Sequence, residues 1–198
     1  MKLSAVVIAA GLSRRMGREK ILLSFGGATV LERVLSTLAS AGITEPIVVL
    51  RPDLQQAIEI ARGAGARVVI NPRPEEEMLL SVRMGMAEVS PGTDAFYVWP
   101  ADHPAVAAHT LDSLARQGQR ARVALPLHAG RRGHPALIGS DLVGDIARIP
   151  EGEGLRHLWR ARPEALVEVP VDDAGTLLDL DTPEDYDRAL QSLPRPPP

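Results

Sequence analysis

The sequence predicts an α/β fold in which a mostly parallel β-sheet is covered by helices on both faces, in three layers. Short apolar runs alternate with helical patterns over most of the 198 residues. The runs contain few polar residues, as expected for parallel strands that are buried on both faces. Aromatic residues make up only 3% of a chain that is 45% hydrophobic, so aliphatic side chains must form most of the core.

Seven strands and seven helices are predicted from this alternation. The strands are Leu3–Ala10, Pro46–Arg51, Ala66–Ile70, Ala95–Pro100, Arg122–Pro126, Pro135–Ile138 and Ala165–Pro170. The helices are Val30–Ala41, Asp53–Gly63, Met78–Val89, Thr110–Gln117, Asp141–Arg148, Gly154–Arg160 and Pro183–Leu193. The first helix has apolar residues at helical spacing and is followed by Gly42, a common stop. The last begins with Thr182 as a cap and Pro183 in its first turn.

The alternation weakens after about residue 120. Two short strands there are joined by a basic, turn-rich link from His128 to Gly133, which predicts a small hairpin insertion. We find no interdomain linker and expect a single domain over residues 1–193. The proline-rich segment at 194–198 cannot continue a helix, and we expect it to be disordered.

Bulk properties exclude several classes of protein. The formal net charge of −3 argues against a general nucleic-acid binder, which would be strongly basic. The absence of cysteine excludes disulfides, thiolate metal sites and cysteine nucleophiles. No apolar run is long enough to span a membrane, and the first run lacks the flanks of a signal peptide. We therefore expect a cytoplasmic protein without a membrane or nucleic-acid partner.

A basic glycine loop follows the first strand, between Gly11 and Lys20. It carries three arginines and a lysine, which suits a polyphosphate at the carboxyl end of a strand. It is neither a P-loop nor the dinucleotide-binding fingerprint, because no Gly-Lys-Ser/Thr and no G-x-G occurs. A solvated basic turn is the alternative, but four cations in seven residues repel one another unless an anion binds.

Carboxylates occur at two further positions that suit a metal site. Asp102 follows the predicted strand Ala95–Pro100, and Asp179 and Asp181 lie two residues apart on a downstream segment, facing the same way if extended. Magnesium prefers one or two protein carboxylates together with substrate phosphates. The alternatives are turn capping for Asp102 and a helix-dipole role for Asp181.

These three segments resemble the nucleotidyltransferases that include the molybdenum cofactor cytidylyltransferases and guanylyltransferases, the MobA-like NTP transferases. The loop reads A-A-G-L-S-R-R-M-G and then Lys20, the strand end reads D-H-P, and the late segment reads D-L-D-T-P-E-D-Y. The resemblance implies a Rossmann-like nucleotidyltransferase fold. It implies nucleotide-binding roles for Ala9, Ala10, Gly11, Leu12, Arg15, Lys20 and Asp102, with Arg15, Lys20 and Asp102 catalytic. It also implies that Asp102 and Asp181 hold Mg²⁺.

Weaker parts of the resemblance extend the site. Asn71 and Ser81 match a family segment that faces the nucleotide, and His134 lies in a G-H-P segment placed toward the acceptor. His103 stands where the family more often has glutamine, so we also assign it to the acceptor side.

The resemblance implies that CMP is transferred from CTP to a phosphate acceptor, with molybdopterin cofactor favoured, and that pyrophosphate is released. The Ala-Ala-Gly form of the loop favours cytidylyl over guanylyl transfer. The alternatives are GTP as donor, a sugar or other small phosphate as acceptor, and a non-catalytic nucleotide-binding assembly factor for molybdenum hydroxylases. A molybdenum hydroxylase or its chaperone is a candidate partner.

Overall fold

The structure, a computed structural model, describes residues 1–119, 121–191 and 193. Ten strands are found in this part of the chain: β1 (Leu3–Ile8), β2 (Ser24–Phe25), β3 (Ala28–Thr29), β4 (Ile47–Leu50), β5 (Arg67–Ile70), β6 (Ala95–Pro100), β7 (Val123–His128), β8 (Arg131–Arg132), β9 (Ala136–Gly139) and β10 (Leu166–Pro170). The same part has seven α-helices: α1 (Val30–Ser40), α2 (Gln55–Gly63), α3 (Met78–Met86), α4 (Ala108–Gly118), α5 (Val143–Ala147), α6 (Arg156–Ala161) and α7 (Pro183–Gln191).

The main sheet is mostly parallel, as predicted. Its strand order is β10-β7-β9-β6-β1-β4-β5, with β8 paired to β7 at the margin. The pairs β1–β4, β1–β6, β4–β5 and β10–β7 are parallel, whereas β9 is antiparallel to both of its neighbours. The carboxyl ends of β1, β4 and β6 therefore meet at one edge, where ligands bind in open α/β sheets.

Helices cover both faces of this sheet, so the three-layer prediction is confirmed. Alternate residues of β1 enter different cores: Val7 packs with α1, α2 and α4, and Val6 packs with α3, α5 and α6. The sheet packs closely against α3, where a Cβ at Gly85 would lie 2.3 Å from Val6 Cγ1. Because α3 lies so near β1, its first turns are held beside the loop that follows the strand.

A third, smaller core joins the glycine loop to the end of the chain. Met16 of the loop and Phe25 of β2 pack against Leu180 and Tyr186. Gly26 and Gly27, both with positive φ, form the two-residue turn between β2 and β3, as expected for such a tight hairpin. This cluster brings Asp181 back to the loop that follows β1.

The predicted hairpin is present and is part of the main sheet. Its strands β7 and β9 are antiparallel, β8 extends the turn, and β9 lies between β6 and β7. The helix predicted at Asp141–Arg148 is split, because Ser140–Leu142 form a 3-10 turn before α5.

At most of the other elements, the predicted ends differ from the observed ends by one to three residues. Regular hydrogen bonding is lost gradually at the ends of helices and strands, so such ends are the hardest to predict. The domain over residues 1–193 stays a prediction, and the tail predicted at 194–198 lies outside the described residues. In the described part of the chain, no helix has both the length and the apolar character needed to cross a membrane.

Candidate active site

A lysine between two aspartates forms the centre of the site. Lys20 Nζ lies 2.6 Å from Asp102 Oδ2 and 3.3 Å from Asp181 Oδ1. Lys20 opens a short 3-10 turn after the glycine loop, Asp102 follows β6, and Asp181 precedes α7. The Leu180 amide donates to the Asp102 carbonyl at 3.0 Å, which fixes the two aspartate segments side by side. Residues separated by 82 and 161 positions thus meet at the carboxyl edge of the sheet.

Arg15 completes this cluster from the solvent side. Its guanidinium donates to Asp181 Oδ2 at 2.7 Å, and its side chain is 70% exposed. Asp179 is itself exposed, and within the described residues no hydrogen bond or ion pair joins it to the cluster. Of the two aspartates expected to face one cleft, the structure therefore brings only Asp181 into contact with the cluster.

The electrostatics of the cluster favour its charged forms. Burial by itself raises the pKa of Asp102, but the hydrogen bond and charge of His103 and the ammonium of Lys20 outweigh it and hold the pKa well below its usual range. Burial likewise lowers the pKa of Lys20, and the two carboxylates more than compensate, so the net shift is upward. At neutral pH Lys20 is therefore a cation and Asp102 an anion.

The two histidines assigned to the acceptor side contact each other. His103 is buried, and its Nδ1 lies 2.9 Å from Asp102 Oδ1, while its ring packs edge-on against His134 with centroids 4.7 Å apart. His134 Nδ1 is buried without a hydrogen-bond partner among the described residues. Burial, with the charges of His103 and Arg156, lowers the pKa of His134 to about 4. His134 is therefore neutral at physiological pH.

A small cleft, which we call the loop cleft, opens beside this cluster. It measures about 160 Å³ and is lined by Ala9, Ala10, Gly11, Lys20, Ser81 and Asp102 among others. A shallower extension toward solvent is lined by Leu12, Ser13, Arg14, Arg15 and Asp181. Each residue predicted for the nucleotide and the metal, except Asn71, lines one of these two parts.

Asn71 lies behind the wall of the loop cleft and contacts Ser81, which is part of that wall. It is buried, and its Nδ2 donates to Ser81 Oγ at 2.9 Å, while its Oδ1 accepts from the Arg73 amide at 2.8 Å. Both groups of the side chain are thus occupied by the protein. Asn71 therefore orients Ser81, whose hydroxyl lies at the cleft wall, and does not itself line the cleft.

Gly11 presents an open side to the loop cleft. A Cβ built there would have no atom within 4 Å, and its φ does not require glycine. Neither protein packing nor backbone conformation therefore explains this glycine. The remaining physical reason is to leave the backbone accessible to a ligand.

A second and larger cleft lies next to the first, and we call it the hairpin cleft. It measures about 840 Å³, and Val98, Leu125, Ala136 and Trp159 supply apolar surface. His134, Arg132, Arg156 and Arg160 also line it. Arg132 pairs with Glu168 and Arg160 with Glu153, whereas no ion pair to Arg156 is found in the described part of the chain. Met78 borders both clefts.

The sequence analysis did not predict roles for Arg51, Arg156 or Trp159. Arg51 ends a predicted strand, and an arginine after an otherwise apolar run is a signal that points to a buried partner. Arg156 and Trp159 lie within the predicted helix Gly154–Arg160, and their pattern gives no sign of the cleft that they line.

The donor set suits a hard divalent cation. Asp102 and Asp181 both face one positive charge, the Lys20 ammonium, so their oxygens converge on a common point. Among the described residues no group of three or more His, Cys, Asp or Glu side chains is arranged to hold a metal. Two carboxylates fit Mg²⁺, which fills its other positions with water and substrate phosphates.

Comparison with known proteins places the chain among nucleotide-transferring enzymes. Residues 5–167 match the family described as the MobA-like NTP transferase domain. A molybdenum cofactor cytidylyltransferase from Escherichia coli (strain K12) is 25% identical over 93% of the chain and 93% of its own length. A nicotine blue oxidoreductase from Paenarthrobacter nicotinovorans is 28% identical over 94% of the chain and 96% of its own length.

A solved structure agrees in fold over almost the whole chain. Rv0371c from Mycobacterium tuberculosis H37Rv is 30% identical, with a TM-score of 0.83 over 97% of this chain and 99% of that one. A structure of Rv0371c in complex with manganese superposes with a TM-score of 0.77, at 28% identity over 98% of this chain and 100% of that one.

Proposed function

The chain belongs to the MobA-like NTP transferase domain family and is a nucleotidyltransferase, and we propose that it transfers CMP from CTP to a phosphorylated acceptor. Molybdopterin cofactor is the favoured acceptor, pyrophosphate is released, and Mg²⁺ is the favoured metal. One observation carries the proposal: Lys20 lies between Asp102 and Asp181 beside the open backbone of Gly11. This is the charge arrangement that a metal-bound triphosphate requires.

The reaction needs little covalent help from the protein. An oxygen of the acceptor phosphate forms a bond to the α-phosphorus of CTP, and the bond from that phosphorus to the bridging oxygen of the pyrophosphate breaks. The electron pair of the broken bond leaves with pyrophosphate. Because the acceptor phosphate is already ionised, no general base is required. Positioning and charge neutralisation are the remaining tasks.

The cations of the loop perform the charge neutralisation. Lys20 and Arg15 lie on the two sides of Asp181 and bind the β- and γ-phosphates, where negative charge builds up as pyrophosphate leaves. The amides near Gly11 approach the phosphates through the open side of the loop. Ser81, oriented by Asn71, faces the nucleoside end of the same cleft.

Asp102 and Asp181 would hold the metal, as their convergence on one cation suggests. When bound, Mg²⁺ neutralises phosphate charge and aligns the α-phosphate. His103, bonded to the far oxygen of Asp102, keeps that carboxylate oriented toward Lys20.

The hairpin cleft supports a large acceptor. Its apolar surface and Trp159 suit a flat ring system, and Arg156 offers a cation that no described residue pairs with. Both features match a phosphorylated pterin better than a sugar phosphate, whose hydroxyls would contact an apolar floor. CTP is favoured as donor by the Ala9-Ala10-Gly11 sequence and by the cytidylyltransferase relative.

The test is product formation from purified protein. CTP, GTP, ATP and UTP are each incubated with Mg²⁺ and molybdopterin cofactor, and both pyrophosphate and the dinucleotide product are measured. We expect CTP to give both products and a reaction without acceptor to give neither. A preference for GTP would replace CTP as the donor, and activity only with a sugar phosphate would replace molybdopterin cofactor as the acceptor. No product with any triphosphate and acceptor would overturn the proposed transfer.

A further inference from the structure

A buried arginine lies behind the glycine loop and outside both clefts. Arg51 follows β4 and is only 5% exposed. Each nitrogen of its guanidinium has a different acceptor. Nη1 donates to the Gly11 carbonyl at 2.6 Å, Nη2 donates to a carboxylate oxygen of Glu19, and Nε pairs with Asp53 at 2.8 Å.

Two of these acceptors are the ends of the loop. Gly11 begins the segment and Glu19 ends it, one residue before Lys20. The residues between them include Arg15 and Ser13, which has a positive φ of 48°. Both ends of the loop are therefore hydrogen-bonded to the rigid, planar guanidinium of Arg51, which follows β4 of the central sheet.

The geometry of the guanidinium matters as much as its charge. A lysine has one nitrogen and cannot reach three acceptors spread around a plane. The third acceptor, Asp53, is mostly exposed and does not belong to the loop. Its ion pair with Nε holds the guanidinium from the solvent side. Removing the head group would free both loop ends together and leave the Glu19 carboxylate, already partly buried, without its cation.

We propose that Arg51 is a positioning residue for the triphosphate, which holds Gly11 and Glu19 at a fixed separation and thereby sets where Arg15, Lys20 and the loop amides meet the phosphates. The identity of the ligand rests on the proposed function, whereas the restraint on the loop does not. Arg51 touches no substrate itself. It acts through the backbone of Gly11 and the segment that leads into Lys20.

The first experiment measures the loop without any ligand. Trypsin cleaves after arginine, and Arg14, Arg15 and Arg18 are exposed within the loop. We expect native Arg51→Met protein to be cut there about 10-fold faster than wild type, because cleavage follows local opening. Arg51→Lys should behave similarly, since lysine keeps the charge but not the three contacts. Arg67 lies on β5 and forms an exposed ion pair with Glu88. Arg67→Met is the matched control and should leave cleavage of the loop unchanged.

The second experiment measures the consequence for substrate. In Arg51→Lys, KM for the nucleoside triphosphate should rise about 10- to 100-fold, while KM for the acceptor stays within about 2-fold, because only the phosphate side loses its alignment. A purely stabilising role would lower the melting temperature and leave both KM values unchanged. If Arg51→Met does not fold, Glu19→Gln replaces it, since that change removes the charge from one loop contact and keeps the guanidinium.

The outcomes separate the two proposals. Faster tryptic cleavage together with a selective rise in triphosphate KM supports the role of Arg51. Wild-type cleavage rates in both Arg51→Lys and Glu19→Gln, or an unchanged triphosphate KM, would overturn it. A wild-type protein that turns over no triphosphate contradicts the proposed function, and the tryptic comparison still decides whether Arg51 restrains the loop.

Discussion

The two clefts differ in how completely their cations are paired with carboxylates. In the loop cleft, Lys20 and Arg15 are already paired with Asp102 and Asp181. In the hairpin cleft, which has about five times the volume of the loop cleft without its extension, Arg156 pairs with no described acidic side chain and the surface is partly apolar. The loop cleft is small, polar at its centre and saturated with internal ion pairs, whereas the hairpin cleft is wide and mixed.

The difference indicates what each cleft binds. A saturated cluster of alternating charges can exchange its internal pairs for a ligand that carries both signs, such as a triphosphate with its metal. A wide, partly apolar cleft in which Arg156 has no ion pair among the described residues instead suits a large body with a single phosphate. Loss of one charge should therefore have its largest effect in the loop cleft.

The largest expected effect is loss of the Asp102 charge. Asp102→Asn keeps the shape of the side chain but removes the charge of one proposed metal ligand, which is also a partner of Lys20. We expect turnover to fall about 1,000-fold or more, because charge stabilisation in the transition state is lost. Steady-state pyrophosphate release measures it, and circular dichroism verifies that the fold is retained.

Asp172→Asn is the control for this change, because Asp172 is exposed and lines neither cleft. Near-normal turnover in Asp102→Asn would remove Asp102 from both the metal site and the catalytic group.

On the other side of the comparison, Arg156→Ala should affect the acceptor alone. We expect KM for the acceptor to rise about 10- to 50-fold and KM for CTP to stay within about 2-fold, since one charge-assisted contact is lost. Initial rates at varied acceptor and fixed CTP measure this. Arg148→Ala is the control, because that side chain is 80% exposed and lies outside the hairpin cleft. A rise in KM for CTP instead would assign Arg156 to the donor.

The loop cleft was the more predictable of the two from sequence. Its residues lie in short, distinctive motifs, and parallel strands bring their carboxyl ends together whatever the side chains between them. The sheet and its covering helices followed from apolar periodicity for the same reason. The pairing of Lys20 with Asp181 was not predictable, because 161 residues separate them and the small core around Leu180 closes that distance.

The hairpin cleft was harder to predict because its wall combines elements with weak local signals. The two short strands after residue 120 were expected, but not that β9 would lie between β6 and β7. That placement turns Ala136 and His134 toward the same edge as Asp102. Arg51 was missed for a related reason, since its loop partners are 40 and 32 positions away and one of them is a backbone carbonyl.

A smaller effect is expected from Gly11→Ala, which separates fold from binding in the loop cleft. A methyl group at this position meets no protein atom, so we expect stability to stay the same or rise slightly. Affinity for CTP should fall about 10-fold, because the methyl occupies the space through which phosphates approach the backbone. Calorimetric titration and thermal melting measure the two quantities. Unchanged affinity would show that the open side of Gly11 does not face the ligand.

The smallest expected effect concerns stability and pH on the hairpin side. His134 has a pKa of about 4 in the folded protein and an ordinary value of 6.5, mainly because it is buried and also because His103 and Arg156 repel its charged form, against the attraction of Asp102. As pH falls, the unfolded chain therefore takes up this proton first. The contribution of neutral His134 to stability is fully present above pH 6.5 and is lost between pH 6.5 and 4. Allowing for partial exposure, we expect about 1 kcal/mol from this group.

Urea unfolding of wild type and His134→Gln at pH 7 and pH 4.5 measures this contribution. The variant should lose less stability than wild type on acidification, because glutamine does not titrate. His109→Gln, at an exposed position on α4, should lose as much as wild type. Equal pH dependence in wild type and His134→Gln would mean that His134 is solvated well enough to titrate normally. The hairpin cleft would then be polar at the base where we place the acceptor, and the contrast with the loop cleft would narrow to size alone.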